Sequence, residues 1–146
     1  GVLLTALTPP ALAALHRQFA ERRVAKTYVA LVAGAPGRDE GEVDLPLRCD
    51  WPNRPRQMVA EDGKPARTLW RVLAREGAAT RVALTPVTGR SHQLRVHMAA
   101  LGCPLLGDPL YGDPTAAPRL MLHAARLAFR DPKTGAERVV TAPVPF

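Results

Sequence analysis

Residues 68 to 86 constrain the fold of this chain more than any other stretch. From Thr68 onward the side chains alternate: Thr68, Trp70, Val72 and Ala74 fall on one face, and Leu69, Arg71, Leu73 and Arg75 on the other. A period of two is the pattern of a strand half-buried in a sheet. Glu76-Gly77-Ala78-Ala79 follows, then a second strand-like run, Thr80 to Leu84, so the pair reads as a β-hairpin. Val2 to Leu7, Lys26 to Val32, Glu42 to Leu47, Met58 to Glu61 and Glu137 to Ala142 also read as strands, and Leu120 to Phe129 fits helix or strand. Turns are marked at Ala33–Gly41, Asp62-Gly63 and Asp131–Gly135. About seven strands, two helices and short connections predict an α+β domain with a largely antiparallel sheet. No repeat and no long linker divides the chain, so one domain is expected over residues 1–146.

The first helix is announced by Thr8-Pro9-Pro10, an N-cap followed by prolines in the first turn. Leu12, Leu15 and Phe19 share one face of it, and it should end near Arg23. The second helix belongs to Gly89-Arg90-Ser91-His92-Gln93-Leu94-Arg95-Val96-His97 and should stop at Gly102. His92, Arg95 and Ala99 lie near one stripe, and Leu94, Met98 and Leu101 near another that suits burial. Arg90 and the free N–H groups of the first turn favour an anion. An ordinary amphipathic helix with a wet basic face has the same spacing. His92 and His97 are five apart, not the four of a helical zinc pair, and neither Cys nor a third His is near, so no metal site is expected. His16 and His123 read as packing or surface residues.

Twenty Lys+Arg against thirteen Asp+Glu give a net charge of +7, and only Lys26, Lys64 and Lys133 are lysines. An arginine bias suits phosphates and base edges, although a GC-rich coding sequence would produce it equally well. Cys49 and Cys103 form no CxxC, which favours a reducing compartment over a disulfide scaffold. No apolar run reaches the roughly 18 residues of a membrane span. In Arg48–Gln57, Arg48, Arg54 and Arg56 surround Trp51, which suits an RNA-contacting finger; Pro52 and Pro55 suit a rigid connector as well. Tyr28 is either a half-buried strand tyrosine or a ring that stacks on a base while its hydroxyl handles a proton. No nucleophile elbow, phosphate loop or dinucleotide fingerprint occurs, and no carboxylate lies in a motif that marks it as catalytic. The chain opens at Gly1 inside an apolar run, without an initiator methionine, as a piece cut from a longer protein would.

The run GRSHQLRVHMAALGCPLLGDPLYG, Gly89 to Gly112, resembles the signature of RluA-type pseudouridine synthases, and VAKTYVALVAG, Val24 to Gly34, resembles that family's tyrosine motif. DLPLRCDWPNRPRQ, Asp44 to Gln57, and Leu122-His123-Ala124 resemble one member in particular, which modifies large-subunit ribosomal RNA and a tRNA anticodon stem-loop. The likeness extends over nearly the whole chain. It implies the pseudouridine synthase α+β fold, a mostly antiparallel mixed sheet flanked by helices. With its N-terminal strands missing, a sheet edge and apolar surface should be exposed.

The implied activity is isomerisation of uridine to pseudouridine on a flipped base, with no cofactor and no metal. Tyr28 takes the place of the tyrosine that packs on the base and accepts the C5 proton. Arg95 takes the place of the residue paired with the catalytic aspartate. Leu94 and Leu122 match the lining of the uracil pocket. Arg90, His92 and Gln93 match the signature as RNA-binding residues, and Arg54, Arg56, Trp51, Arg23 and Lys26 are expected to join them. The family's aspartate sits in a His-Arg-Leu-Asp segment just before a Thr-Ser-Gly that would end at Gly1, so the chain alone is expected to be inactive. RNA is the implied partner, with no membrane contact, a cytoplasmic location and a monomeric full-length protein. Competing readings are a non-catalytic RNA-binding module on the same scaffold and a partner-binding domain with a solvated basic face.

Overall fold

The structure, a computed structural model, describes residues 1–146. Its contacts divide the chain into two compact units, Gly1–Tyr28 with His123–Phe146, and Val29–Leu122. Strand β1 (Ala25–Ala33) begins in the first and ends in the second.

The second unit is built on the hairpin that the alternation predicts. Strands β2 (Glu40–Asp44), β5 (Arg67–Glu76) and β6 (Ala79–Pro86) are antiparallel neighbours, and the order continues from β6 to β1. Thr68 and Trp70 are buried while Leu69, Arg71, Leu73 and Arg75 are exposed, as the period of two requires. Pro46, which lacks an N–H to donate, separates β2 from β3 (Leu47–Cys49), so the strand expected over Glu42–Leu47 is two. The segment Arg48–Gln57 is less irregular than its composition suggests. Its prolines sit at the tip, Pro52 in a single 3-10 turn at Trp51–Asn53, and leave β3 free to pair with β4 (Gln57–Val59) in the register Arg48↔Met58.

Helix α2 (Gln93–Ala100) packs on β4, β5 and β6. It ends as expected, with Gly102 in the left-handed region at φ 81 and the Cys103 N–H returned to the Met98 carbonyl. It begins later than Gly89, because the Gln93 side chain takes the Arg90 N–H and closes a turn ahead of the helix. His92, at φ 54, ends that turn in the left-handed region. Gly107 has φ 70 and lies so close to the Arg119 carbonyl that a Cβ there would stand 2.0 Å from its oxygen. Only glycine lets the chain pass that point on its way to Asp108.

In the first unit, α1 (Pro9–Ala20) is capped by Thr8, whose hydroxyl accepts from the Ala11 N–H, and it ends three residues before Arg23. Leu15 is buried as expected, but Leu12 and Phe19 are exposed and Gln18 is buried in their stead. Periodicity misplaced that face because Gln18 is not apolar. Its amide bonds both the N–H and the carbonyl of Arg130, at 2.8 Å each, which satisfies a buried polar group. The ambiguous segment resolves as strand β7 (Leu122–Arg130), antiparallel to β8 (Glu137–Thr141), in the order β1, β7, β8. Val2–Leu7 is not a strand. It makes one backbone bond of this kind, Val2 N–H to the Ala124 carbonyl at 2.8 Å, and one bond is not a ladder.

Candidate functional site

The two faces of α2 treat their polar groups in opposite ways. Toward β5, the buried Gln93 uses all four valences of its amide. Its oxygen accepts from the Thr88 hydroxyl at 2.6 Å and the Arg90 N–H at 3.0 Å, and its nitrogen donates to the Arg67 carbonyl at 2.9 Å and the Thr68 hydroxyl at 3.0 Å. Thr88 in turn accepts the Arg67 N–H. With Thr68 Oγ1 receiving Gln93, its own proton goes to His97 Nδ1 at 2.9 Å, which leaves His97 Nε2–H to donate to the Leu45 carbonyl at 2.9 Å. His97 is fully buried, and burial pushes its pKa below the usual imidazole value despite the opposing bond to Leu45. Gln93 therefore has no edge left for RNA, and the role expected for it is corrected to one of holding α2 on the sheet.

On the other face, His92 and Arg95 come together on the ring of Tyr111. The Arg95 Cζ stands 5.0 Å from the centre of that ring, and the His92 ring meets it edge-on at 5.7 Å. Beneath, the ring packs on the apolar cluster of Leu47, Ala66 and Val96. The Tyr111 hydroxyl accepts the Gln57 N–H at 2.8 Å and shares a second hydrogen bond with His92 Nδ1 at 2.7 Å. Burial first, and the nearby Arg95 charge second, push the His92 pKa down, in keeping with the neutral form.

Arg95 is locked by Asp108. Nε donates to Oδ2 at 2.8 Å and Nη2 to Oδ1 at 2.6 Å, with side-chain exposures of 14% for Arg95 and 0% for Asp108. Burial alone would raise the Asp108 pKa. The bonds from Arg95 and from the Leu110 and Tyr111 N–H groups bring it below the usual carboxylate range. The same bonds, donated by Arg95, push its own pKa above the ordinary guanidinium value, against the opposing effect of burial. Leu94 is buried on the same helix, and Leu122 closes the second unit half-buried.

The finger at the β3–β4 tip carries exposed cations and a ring. Arg54 lies 4.8 Å over the Trp51 indole, which is 64% exposed, and Arg56 lies 5.4 Å over the Tyr111 ring. Arg48 is taken by Asp62 at 2.9 Å, and the exposed Arg90 reaches the Pro65 carbonyl at 3.1 Å. In the first unit, Tyr28 is half-buried on β1, Lys26 sits 5.7 Å over the Phe19 ring, and Arg23 is ion-paired to Glu21. Sequence reasoning missed Asp108 and Tyr111. Both stood in the signature run, and the one local sign was an Asp two and three residues ahead of N–H groups that its Oδ1 could accept.

Residues 1–100 match the RNA pseudouridylate synthase family. The chain is 56% identical over 151 residues to the dual-specificity RNA pseudouridine synthase RluA of Pasteurella multocida (strain Pm70), a match that takes in 100% of this chain and 69% of that protein. It is 54% identical, with the same coverage, to the protein of the same description from Escherichia coli (strain K12). Among solved structures, human RNA Pseudouridylate Synthase Domain Containing 1 superposes with a TM-score of 0.85 at 33% identity over 97% of this chain. This chain spans 63% of the length of that human structure.

Proposed function

The chain belongs to the RNA pseudouridylate synthase family, and from that premise we propose that the full-length protein isomerises uridine to pseudouridine in RNA, its substrate being large-subunit ribosomal RNA, a tRNA anticodon stem-loop or both. In that reaction the bond from C1′ to N1 breaks and the uracil turns in place. C1′ then joins C5, and the C5 proton is lost as N1 gains one. A base must leave its stack to be reached, and a carboxylate nucleophile must hold or assist the detached intermediate.

In this reading the nucleophile is the aspartate of the His-Arg-Leu-Asp segment, Arg95 pairs with it, and Tyr28 packs on the uracil and accepts the C5 proton. Leu94 and Leu122 line the pocket. Arg90, His92, Arg54, Arg56 and Trp51, with Arg23 and Lys26, contact the RNA. The protein works in the cytoplasm, as a monomer in its full length.

The main support is the state of Arg95. It lies within the matched residues, is held ionised by Asp108, and still has N–H groups that no acceptor in this chain takes. The test is release of tritium from a stem-loop RNA carrying uridine tritiated at C5, with the full-length protein. Tyr28→Phe should bind this RNA as the wild type does and lose turnover by about a hundredfold or more. Normal turnover would remove Tyr28 as the base. RNA binding by the wild type without any tritium release would favour the non-catalytic module.

A further inference from the structure

Asp108 is the only acidic residue among the buried residues of the chain. A carboxylate so placed is costly unless paired and hydrogen-bonded, and Asp108 receives four N–H groups. The pairing with Arg95 is side-on, through Nε and Nη2. A guanidinium has five N–H groups in a fixed fork, so both on Nη1 and one on Nη2 remain, and these meet no acceptor in this chain. The fork cannot swing to find one. Asp108 grips its near edge from a buried position and the Tyr111 ring lies under its plane.

We propose that Asp108 is a positioning residue for the isomerisation: by holding the Nε–Nη2 edge of Arg95 it aims the Nη1 edge at a second carboxylate, that of the nucleophile, without itself touching RNA. This rests on the role given to Arg95 above. Two edges of one planar cation then serve two carboxylates, one buried for placement and one reacting. The same Asp108 Oδ1 that accepts Arg95 Nη2 also accepts the Leu110 and Tyr111 N–H groups, so the turn beneath Tyr111 and the aim of Arg95 are set by one side chain.

Asp108→Asn separates these duties. The amide oxygen still accepts from Leu110 and Tyr111, so the turn survives. The amide nitrogen now opposes Arg95 Nε–H, donor against donor, and the grip fails. In the full-length protein, with stem-loop RNA tritiated at uridine C5, kcat should fall about tenfold to a hundredfold, with KM within about threefold of the wild type. The acid limb of the pH profile of kcat should also move up by about one unit, because a nucleophile that loses an aimed cation ionises less readily.

Wild-type kcat and an unmoved limb overturn the proposal. So does a loss of rate with the limb in place, which is what a merely structural residue would give. Tyr28→Phe, assayed alongside, tells the failures apart. If Tyr28→Phe is inactive and Asp108→Asn is normal, only the positioning role falls; if both are normal, the reading of the site falls with it. Should Asp108→Asn not fold, the wild-type protein decides by NMR. The Arg95 Nε–H should exchange slowly, and should still do so when the nucleophilic aspartate is replaced by asparagine. Fast exchange in either protein overturns the proposal.

Discussion

His92 precedes helix α2 and His97 lies within it, and their surroundings differ completely. His97 is fully buried and bonded through both nitrogens, as part of a network in which Thr68, Thr88 and Gln93 match every donor to an acceptor. His92 is only half-buried, is bonded through Nδ1 alone, and shares Tyr111 with an Arg95 whose outer edge is unclaimed. A closed polar network rigidifies the element it holds. Groups left open on a helix so firmly held add little to the folded state by themselves, and they are placed to meet a ligand without further ordering.

The contrast is most sharply broken at Gln93. Gln93→Leu removes the amide, so the Thr88 hydroxyl proton and the Arg90 N–H lose their acceptor, and the Thr68 hydroxyl and the Arg67 carbonyl each lose a donor. Urea unfolding of the full-length protein should show a loss of about 3 kcal/mol. A loss below about 1 kcal/mol would mean that the network is not the anchor described here.

The pH dependence of stability comes next. Burial lowers the pKa of both His97 and His92 in the folded protein. The unfolded chain therefore takes up these protons at a higher pH than the folded one. The stability they contribute is full above the unfolded imidazole value of about 6.5, and it is lost as the pH falls through that value and on through the folded ones. Tm measured downward from pH 7.5 should fall through this window, and His97→Asn should remove most of the slope. A slope that survives that substitution would place its origin elsewhere.

The smallest effect is expected at His92. Its φ of 54 costs a side-chain-bearing residue about 1 kcal/mol that glycine does not incur. The bond to Tyr111 is worth about the same. His92→Gly should therefore leave the urea midpoint nearly unchanged while lowering RNA turnover. A large loss of stability would move His92 to the closed side of the comparison.

Much of the fold was legible because it follows from periods and punctuation. The alternation from Thr68, the hairpin after Glu76, the Thr8-Pro9-Pro10 helix start and the Gly102 stop all stand where local chemistry puts them. What was not legible depended on polar side chains that reach across the chain. Gln18 displaced Leu12 and Phe19 from the buried face of α1 by bonding Arg130, a partner 112 residues away. Spacing puts Gln93 on neither stripe of α2, and it is buried because strand β5 offers it a carbonyl and a hydroxyl 26 and 25 residues away. At the site, the convergence of His92 and Arg95 follows from helical spacing. The Asp108 that orders them does not, since a carboxylate in a turn-rich loop carries no local sign of what it will meet. The strand expected at Val2–Leu7 failed for a related reason: an apolar run permits a strand, and only a pairing partner makes one.

The Tyr111 hydroxyl joins two pieces of chain that share no ladder. It accepts a hydrogen bond from the Gln57 N–H on the hairpin that carries Trp51 and Arg54, and it shares another with His92 at the threshold of α2. The hairpin cannot lift away from the helix without breaking one of these links. A strand of RNA tugging on the fingertip would thus be felt at the helix, and one oxygen atom is the knot that carries the pull.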